Sequence, residues 1–457
     1  MSAALGIDPP VWHSGAFVRL WIAQAITQTA QNAIWYALLV VVEENSHSHT
    51  QLGITILAVI LPSVLFGIPA GVYVDRWDKR TVLVVTNVLR CGIVAAYIPF
   101  GTTLAVVYVV TFIFSFVSQF FGPAETAMIP RLVGKTRLMQ ANSFFHLTFT
   151  VSQLLGLVLV GPLFIKLFGT SAFFALTALL FGASGVLVWW LPSERTVAER
   201  TVAERAVAPQ RSGVNPVREL LGQLGEVSSM LRSDRGMLWA MGYVTVAGTL
   251  TLILAMLAPG FAVQVLGIAA ADAVFVMAPA GLGILVAATV LSRATGGFLA
   301  DRPRVIVSGL IVVSIALAAV AGLPVLGRVV GLLGPEGESV AFIGAGQAGL
   351  VLGVMGAALL SGFGFAAILV AAQTDLQERA PADARGRVFA VMFTIGNLFS
   401  MVPLVLIGGV ADLIGVTPVL LLMSLTVLGV AVLSHRRLAL GAQVGPGRES
   451  KSRDDPG

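Results

Sequence analysis

Roughly twenty consecutive apolar residues suffice to cross a bilayer as a helix, and this chain meets that length repeatedly. Apolar runs fall near 17–42, 52–74, 82–100, 104–126, 141–165 and 171–191. After a polar stretch they resume near 237–264, 273–294, 305–326, 341–372, 388–411 and 416–434. Backbone groups inside lipid must bond to each other, so every run is predicted to be a helix. With 57% hydrophobic residues against 11% charged, the chain is predicted to be an all-α polytopic membrane protein with twelve transmembrane helices.

The basic residues give the direction of threading. Placing both termini on one side puts 25 of the 28 Lys and Arg in segments on that side, leaving Lys166 and Arg328 opposite and Arg90 inside a run. Short loops rich in Lys and Arg stay in the cytoplasm. Both termini are therefore expected there, in a multi-pass protein of the cell (inner or plasma) membrane. The net charge of +5 follows from these loops and gives no reason to expect nucleic acid as a partner. The single cysteine, Cys91, excludes an internal disulfide. Met1 to Ala16 lacks a basic region followed by a cleavage site, so the first run is expected to stay as an anchor.

The segment from Pro192 to Arg235 divides the runs into two sets of six. It carries a direct repeat, Thr196 to Arg205, of alternating charge with no apolar face, and reads as a solvated linker. From Asn215 the pattern turns helical. Asn215 suits a cap, Pro216 a first turn, and Val217, Leu220, Leu221, Leu224, Val227 and Leu231 recur at helical spacing. That amphipathic helix is expected along the inner membrane face. The expected organisation is an N-terminal six-helix bundle over 1–191, a cytoplasmic linker with the amphipathic helix over 192–236, a C-terminal six-helix bundle over 237–435 and a cytoplasmic tail over 436–457.

Between the second and third runs lies a charged knot, Gly71-Val-Tyr-Val-Asp75-Arg76-Trp77-Asp78-Lys79-Arg80-Thr81. Gly71 is expected to let a neighbouring helix approach, with Asp75 at the helix end. The second half repeats the knot as Gly297-Phe-Leu-Ala-Asp301-Arg302, Asp301 standing at an offset of 226 from Asp75. Leu167-Phe-Gly169 returns as Leu413-Ile-Gly415 at an offset of 246, and the extra twenty residues are expected in the loop from Arg328 to Ser339. Two pseudo-symmetric six-helix bundles follow, the construction of a rocking transporter. The knot resembles the loop-2/3 signature of the major facilitator superfamily. Asp78, where a second Gly is commoner, resembles the exporter branch that includes enterobactin and macrolide efflux proteins. Phe121 to Val133 with Gln140-Ala-Asn142, and Asp375 to Pro381 with Arg385-Gly-Arg387, are similar to the same branch. The fifth run keeps part of its antiporter motif, Gly156, Gly161 and Pro162.

This resemblance implies gating by Gly71, Asp75, Arg76, Lys79, Arg80, Gly297, Asp301 and Arg302. Asp75 would face the positive N-terminus of span eleven when the cytoplasmic side is closed, and Asp301 would make the weaker equivalent contact with span five. Arg76, Arg80 and Glu125 would add a charge network at the same face. The resemblance also places spans one, four, seven and ten centrally.

Enzyme signatures are lacking. Gly344-Ala-Gly346-Gln-Ala-Gly349 fits a dinucleotide fingerprint but lies in an apolar run without strands, and reads as helix packing. His47 and His49 have no cluster around them and read as a polar loop, so no catalytic residue, metal or cofactor is expected. Polar side chains inside spans are costly against lipid. Gln24, Gln28, Gln31, Asn32 and Tyr36 share one face of span one, and Ser143, His146, Thr150 and Gln153 one face of span five. Each face alone reads equally as inter-helix bonding; together they favour a cavity for an amphipathic substrate. Phe112, Phe114, Phe116, Phe120 and Phe121 read as packing, or as the apolar wall of that cavity. Arg90, about 12 Å into span three, is expected to snorkel to the inner surface or pair near Asp75.

The chain thus reads as a monomeric secondary active transporter. It is expected to export amphipathic small molecules, drugs or siderophore-like metabolites, by alternating access in exchange for protons. The alternatives are a lysophospholipid or lipid flippase, and a non-transporting membrane sensor or scaffold. None of the 23 acidic residues lies mid-membrane. The coupling proton is expected on Glu125, about 31 Å along its helix and at the inner edge, or on His146, since imidazole titrates near neutral pH.

Overall fold

A computed structural model describes residues 11–100, 103–133, 138–192, 230, 233–292, 301–332, 339–381 and 385–444, and among them there is no β-strand. The first half contains α1 (Gly15–Ser46), α2 (His49–Arg76), α3 (Lys79–Ala95), α4 (Leu104–Val133), α5 (Leu138–Leu154) and α6 (Gly161–Trp189). The second contains α7 (Arg235–Gln264), α8 (Ala273–Ser292), α9 (Arg302–Leu332), α10 (Ser339–Arg379), α11 (Arg385–Ile414) and α12 (Val416–Val444). A π-helical stretch, Leu155–Val160, joins α5 to α6.

Eleven stretches of the described residues are long and apolar enough to cross a membrane, and one of them, Leu147–Trp189, has 43 residues. At 1.5 Å per residue that stretch would be about 65 Å long, twice the hydrocarbon thickness. Gly169 breaks it, with φ 80° and ψ 169°, a backbone region open essentially to glycine alone. The break separates spans five and six and restores the twelve-span architecture. Gly415, between α11 and α12, has φ 86°. The two glycines paired by the internal repeat therefore do the same work.

Two compact units divide the helices. The first holds α1 to α6 with the segment Ala269–Val274; the second holds the remaining described residues from α7 onward. In the first unit α2 and α3 pack on α4, while α6 packs on α1 and α3. The Ala269–Val274 segment is tied in by the Tyr36 hydroxyl, which donates to the Ala271 carbonyl, and by Lys166 Nζ on Asp272 Oδ1 at 2.7 Å. In the second unit α9 packs on α10 and α12, and α7 on α10 and α11. Lipid is as apolar as leucine, so such contacts are held by close packing and inter-helix hydrogen bonds. Thr27 shares one with Ser184 (2.8 Å), Tyr97 with Thr111 (2.8 Å) and Thr249 with Ser400 (2.6 Å). Large apolar side chains turn outward instead, among them Leu413, Leu179 and Trp190.

The helices depart from the expected limits in informative places. Of the predicted loop from Arg328 to Ser339, residues 328–332 belong to α9 and Ser339 opens α10, while 333–338 lie outside the described residues. The extra length of the second half is built into helices of 31 and 41 residues, against 17 and 30 in α3 and α4. Pro123 and Pro130 lie inside α4 without ending it; neighbouring helices tolerate such freed carbonyls in membrane bundles. Glu125 is consequently eight residues inside the helix end, not at its edge. The Gly344–Gly349 stretch lies within α10. The Thr196–Arg205 repeat, and the Asn215 helix apart from Met230, lie outside the described residues, and α12 continues past residue 435 to Val444.

Asp234 caps α7 by accepting from the Gly236 N–H at 2.7 Å, and Arg379 at the end of α10 reaches it at 3.2 Å. Burial alone would raise the Asp234 carboxyl, but the Gly236 N–H and the Arg379 guanidinium outweigh it and hold the group below the usual carboxylate range. The tie between α7 and α10 is therefore complete at neutral pH and is lost only as acid protonates Asp234.

Candidate functional site

The charged knot is a tight turn. Asp75 and Arg76 close α2, Trp77 is extended, and Asp78 caps α3 by accepting from the Thr81 N–H (2.9 Å) and hydroxyl (2.7 Å). That bond explains an aspartate where a glycine is commoner. Asp78→Ala is expected to cost about 1 kcal/mol and Asp78→Gly only a few tenths, readable as the difference in thermal midpoint of the purified protein.

Among the described residues Arg76, Arg80 and Glu125 are not joined in one charge network. Arg80 donates to the Trp189 carbonyl at the C-terminus of α6 and lies over the Trp189 ring, while Arg19 donates to the Trp190 carbonyl at 3.1 Å. The negative end of a helix takes these cations. Arg76 is exposed, Lys79 is buried, and Glu125 points elsewhere. Among the described residues no neighbour stands within 4 Å of where a Cβ would sit on Gly71. The Asp75 side chain and Gly297 lie outside the described residues. Asp301 precedes α9, accepts from the Arg304 N–H and pairs with the Arg304 guanidinium at 2.9 Å. Arg302 pairs with Glu378.

The polar face of α1 is graded. Gln24 and Tyr36 are buried, whereas Gln28, Gln31 and Asn32 are half-buried, Asn32 donating to the Gln28 carbonyl at 2.8 Å. Tyr36 is engaged with Ala271, as described above. Gln153 is exposed, and the side chains of His146 and Thr150 lie outside the description. The residues that bring span five onto α1 are others: Thr148 accepts from the Trp21 indole at 2.6 Å, and Ser152 donates to the Ala25 carbonyl at 3.3 Å. A Cβ on Gly156 would stand 2.4 Å from the Thr29 carbonyl oxygen, and one on Gly161 2.8 Å from the Tyr36 ring. The regular spacing of small residues at 148, 152 and 156 was the available signal.

Arg90 does not snorkel. It is 1% exposed, with the rings of Phe121, Phe181 and Phe114 centred 4.5, 5.7 and 5.9 Å from its guanidinium carbon. Phe114 and Phe121 are thereby accounted for by packing, as are Phe116 against Phe66 and Phe120 against Trp77. Arg90 interacts electrostatically with Glu125 on α4, which is 7% exposed. On α4 the residues Phe114, Ser118, Phe121 and Glu125 recur every three or four positions, one stripe facing α3. Asn87, one turn before Arg90, is fully buried against Gly185. No group of three or more His, Cys, Asp or Glu stands together among the described residues.

Twelve apolar helices in two six-helix units, with an internal repeat, define a polytopic membrane transporter fold. The sequence profile of the Major Facilitator Superfamily matches residues 20–403, and the chain belongs to that family. It is similar to an uncharacterised MFS-type transporter, YfiS, of Bacillus subtilis, 24% identical over 394 residues and 86% of each chain. It is also similar to macrolide efflux protein A of Streptococcus pyogenes, 28% identical over 132 residues, 28% of this chain and a third (33%) of that protein. Among solved structures, nucleoside transporter NupG has TM-score 0.65 at 14% identity, covering 94% of this chain and 100% of that one. An auto-inhibited POT family peptide transporter has TM-score 0.62 at 14% identity, covering 96% and 99%; both likenesses concern the fold. The protein is thus a multi-pass membrane protein of this superfamily.

Proposed function

We propose that the transporter exports amphipathic small molecules, macrolide-like compounds among them, in exchange for protons. The observation that carries this reading is the α1 face bearing Gln28, Gln31 and Asn32, polar and half-buried in a helix otherwise made for lipid. The similarity to macrolide efflux protein A supports the substrate class. In this reading the substrate meets Gln24, Gln28, Gln31, Asn32 and Tyr36 of span one and His146, Thr150 and Gln153 of span five. The protein is a monomer of the cell membrane with both termini, the 192–236 linker and the 436–457 tail in the cytoplasm. Bundles over 1–191 and 237–435 rock, and Gly71, Asp75, Arg76, Lys79, Arg80, Gly297, Asp301 and Arg302 gate the inner side.

Uptake of radiolabelled erythromycin into inverted vesicles, with and without an imposed pH gradient, tests the reading. Accumulation that collapses with the gradient is expected. Movement of a fluorescent lysophospholipid instead would favour a flippase, and movement of neither would favour a sensor. Asp75→Asn is expected to lower uptake by up to about tenfold with the protein still inserted, the loss of one helix-dipole contact; wild-type uptake would remove the gating role.

A further inference from the structure

Six helices in the first unit enclose polar side chains whose hydrogen-bonding capacity is not met among the described residues. Arg90 makes one long hydrogen bond, from Nη2 to the Ser118 carbonyl at 3.4 Å, and its Nε and Nη1 have no partner among the described residues. The same is true of Glu125 Oε1, of both polar atoms of Asn87 and of Gln24 Oε1. All four residues are more than nine-tenths buried. A buried ion pair kept only for structure is stable when both partners are closed on each other and fully bonded. This pair is open: neither Arg90 nor Glu125 makes a salt bridge among the described residues.

We propose that Arg90 and Glu125 form the proton-binding unit of the transporter, Glu125 carrying the proton and Arg90 supplying the fixed counter-charge that drives its release. This rests on the antiport reading above. Arginine does not give up its proton in a protein, so the charge of the pair is decided by Glu125 alone. With a carboxylic acid the pair carries one positive charge, held among three aromatic faces. On release the carboxyl O–H bond breaks, its electron pair stays on oxygen, and the proton passes to water at the end of the unit that holds the 71–80 turn. Arg90 then closes on the carboxylate, and the cycle is completed when a proton from water on the opposite side of the membrane re-forms the O–H bond. Both groups lie at one level, eleven residues from the start of α3 and eight from the end of α4, about 16 and 12 Å from that end.

Other charged groups on helices packed against this site are Lys79 and Arg80 on α3, Arg76 on α2, Arg19, Glu43 and Glu44 on α1, Lys166 on α6 and Arg131 on α4 itself, yet the electrostatic interaction of Glu125 is with Arg90. Asp75 on α2 and His146 on α5 have side chains outside the description. Arg90 acts through Glu125 and is a positioning residue, so its part in coupling is read from a pH profile.

The full-length protein in liposomes tests this with erythromycin and an imposed gradient of one pH unit, which supports about tenfold accumulation for one proton per substrate. Arg90→Gln with Glu125→Gln, which removes both charges together, is expected to reduce accumulation to about onefold, leaving only downhill movement. Tenfold accumulation in that double variant would overturn the pair while leaving antiport intact. A wild type that moves erythromycin without response to pH would overturn antiport, and the pair's coupling role with it. Infrared titration of the protein alone supplies a readout independent of substrate and of the double variant's folding. The carboxylic acid band of the wild type should be absent in Glu125→Gln and should titrate at a different pH in Arg90→Lys. A band unchanged in both variants would overturn the proposal.

Discussion

Replacing Arg90 with alanine is expected to cost on the order of 3–5 kcal/mol, the penalty for stranding one member of a buried charged pair. Glu125 would be left facing the space vacated among Phe114, Phe121 and Phe181, with no cation to balance its carboxylate. Replacing both at once, Arg90→Met with Glu125→Leu, is expected to be close to neutral, because an apolar pair of similar size needs neither hydration nor a partner. Thermal unfolding of the purified wild type and the two variants in detergent, followed by intrinsic tryptophan fluorescence, separates these outcomes. Equal destabilisation of the single and double variants would mean that the two residues do not act as a pair.

The second large effect is expected at Gly156. An alanine methyl there would lie 2.4 Å from the Thr29 carbonyl oxygen and 2.8 Å from Asn32 Cβ, so α1 and span five must move apart. Overpacking of this kind costs about 1–3 kcal/mol, and here it also breaks the Ser152 to Ala25 hydrogen bond beside it. Gly122→Ala, with open space at its Cβ, serves as the control and is expected to be neutral or slightly stabilising. A thermal midpoint for Gly156→Ala matching that of Gly122→Ala would show that the helices have room to separate.

The helices were legible because bilayer thickness dictates their length and lipid forbids other backbone conformations. The hairpin glycines were legible for a similar reason: an offset of 246 pairs two residues that a helix reversal needs. What faces what was harder. Polar residues at 143, 146, 150 and 153 drew attention in span five, but the approach to α1 is decided by small residues at 148, 152 and 156, because backbone proximity needs little volume rather than polarity. Asp301 matched Asp75 in sequence, yet a short carboxylate before a helix start is captured by that helix's free N–H groups. Arg90 and Glu125 were each visible, but their pairing was not. It depends on α4 continuing through two prolines, which hydropathy reads as the end of a span.

The one-residue reversals at Gly169 and Gly415 leave these hairpins no slack. A tag, a glycosylation site or a few added residues at either point would have to be taken from the helices themselves, dragging polar atoms into the hydrocarbon. Spans five and six, and likewise eleven and twelve, then enter the membrane as joined pairs, with neither helix able to settle before its mate. Reporter insertions for mapping sidedness belong at 47–48, where a short connection joins α1 to α2, because at 169 or 415 they would measure the damage they cause.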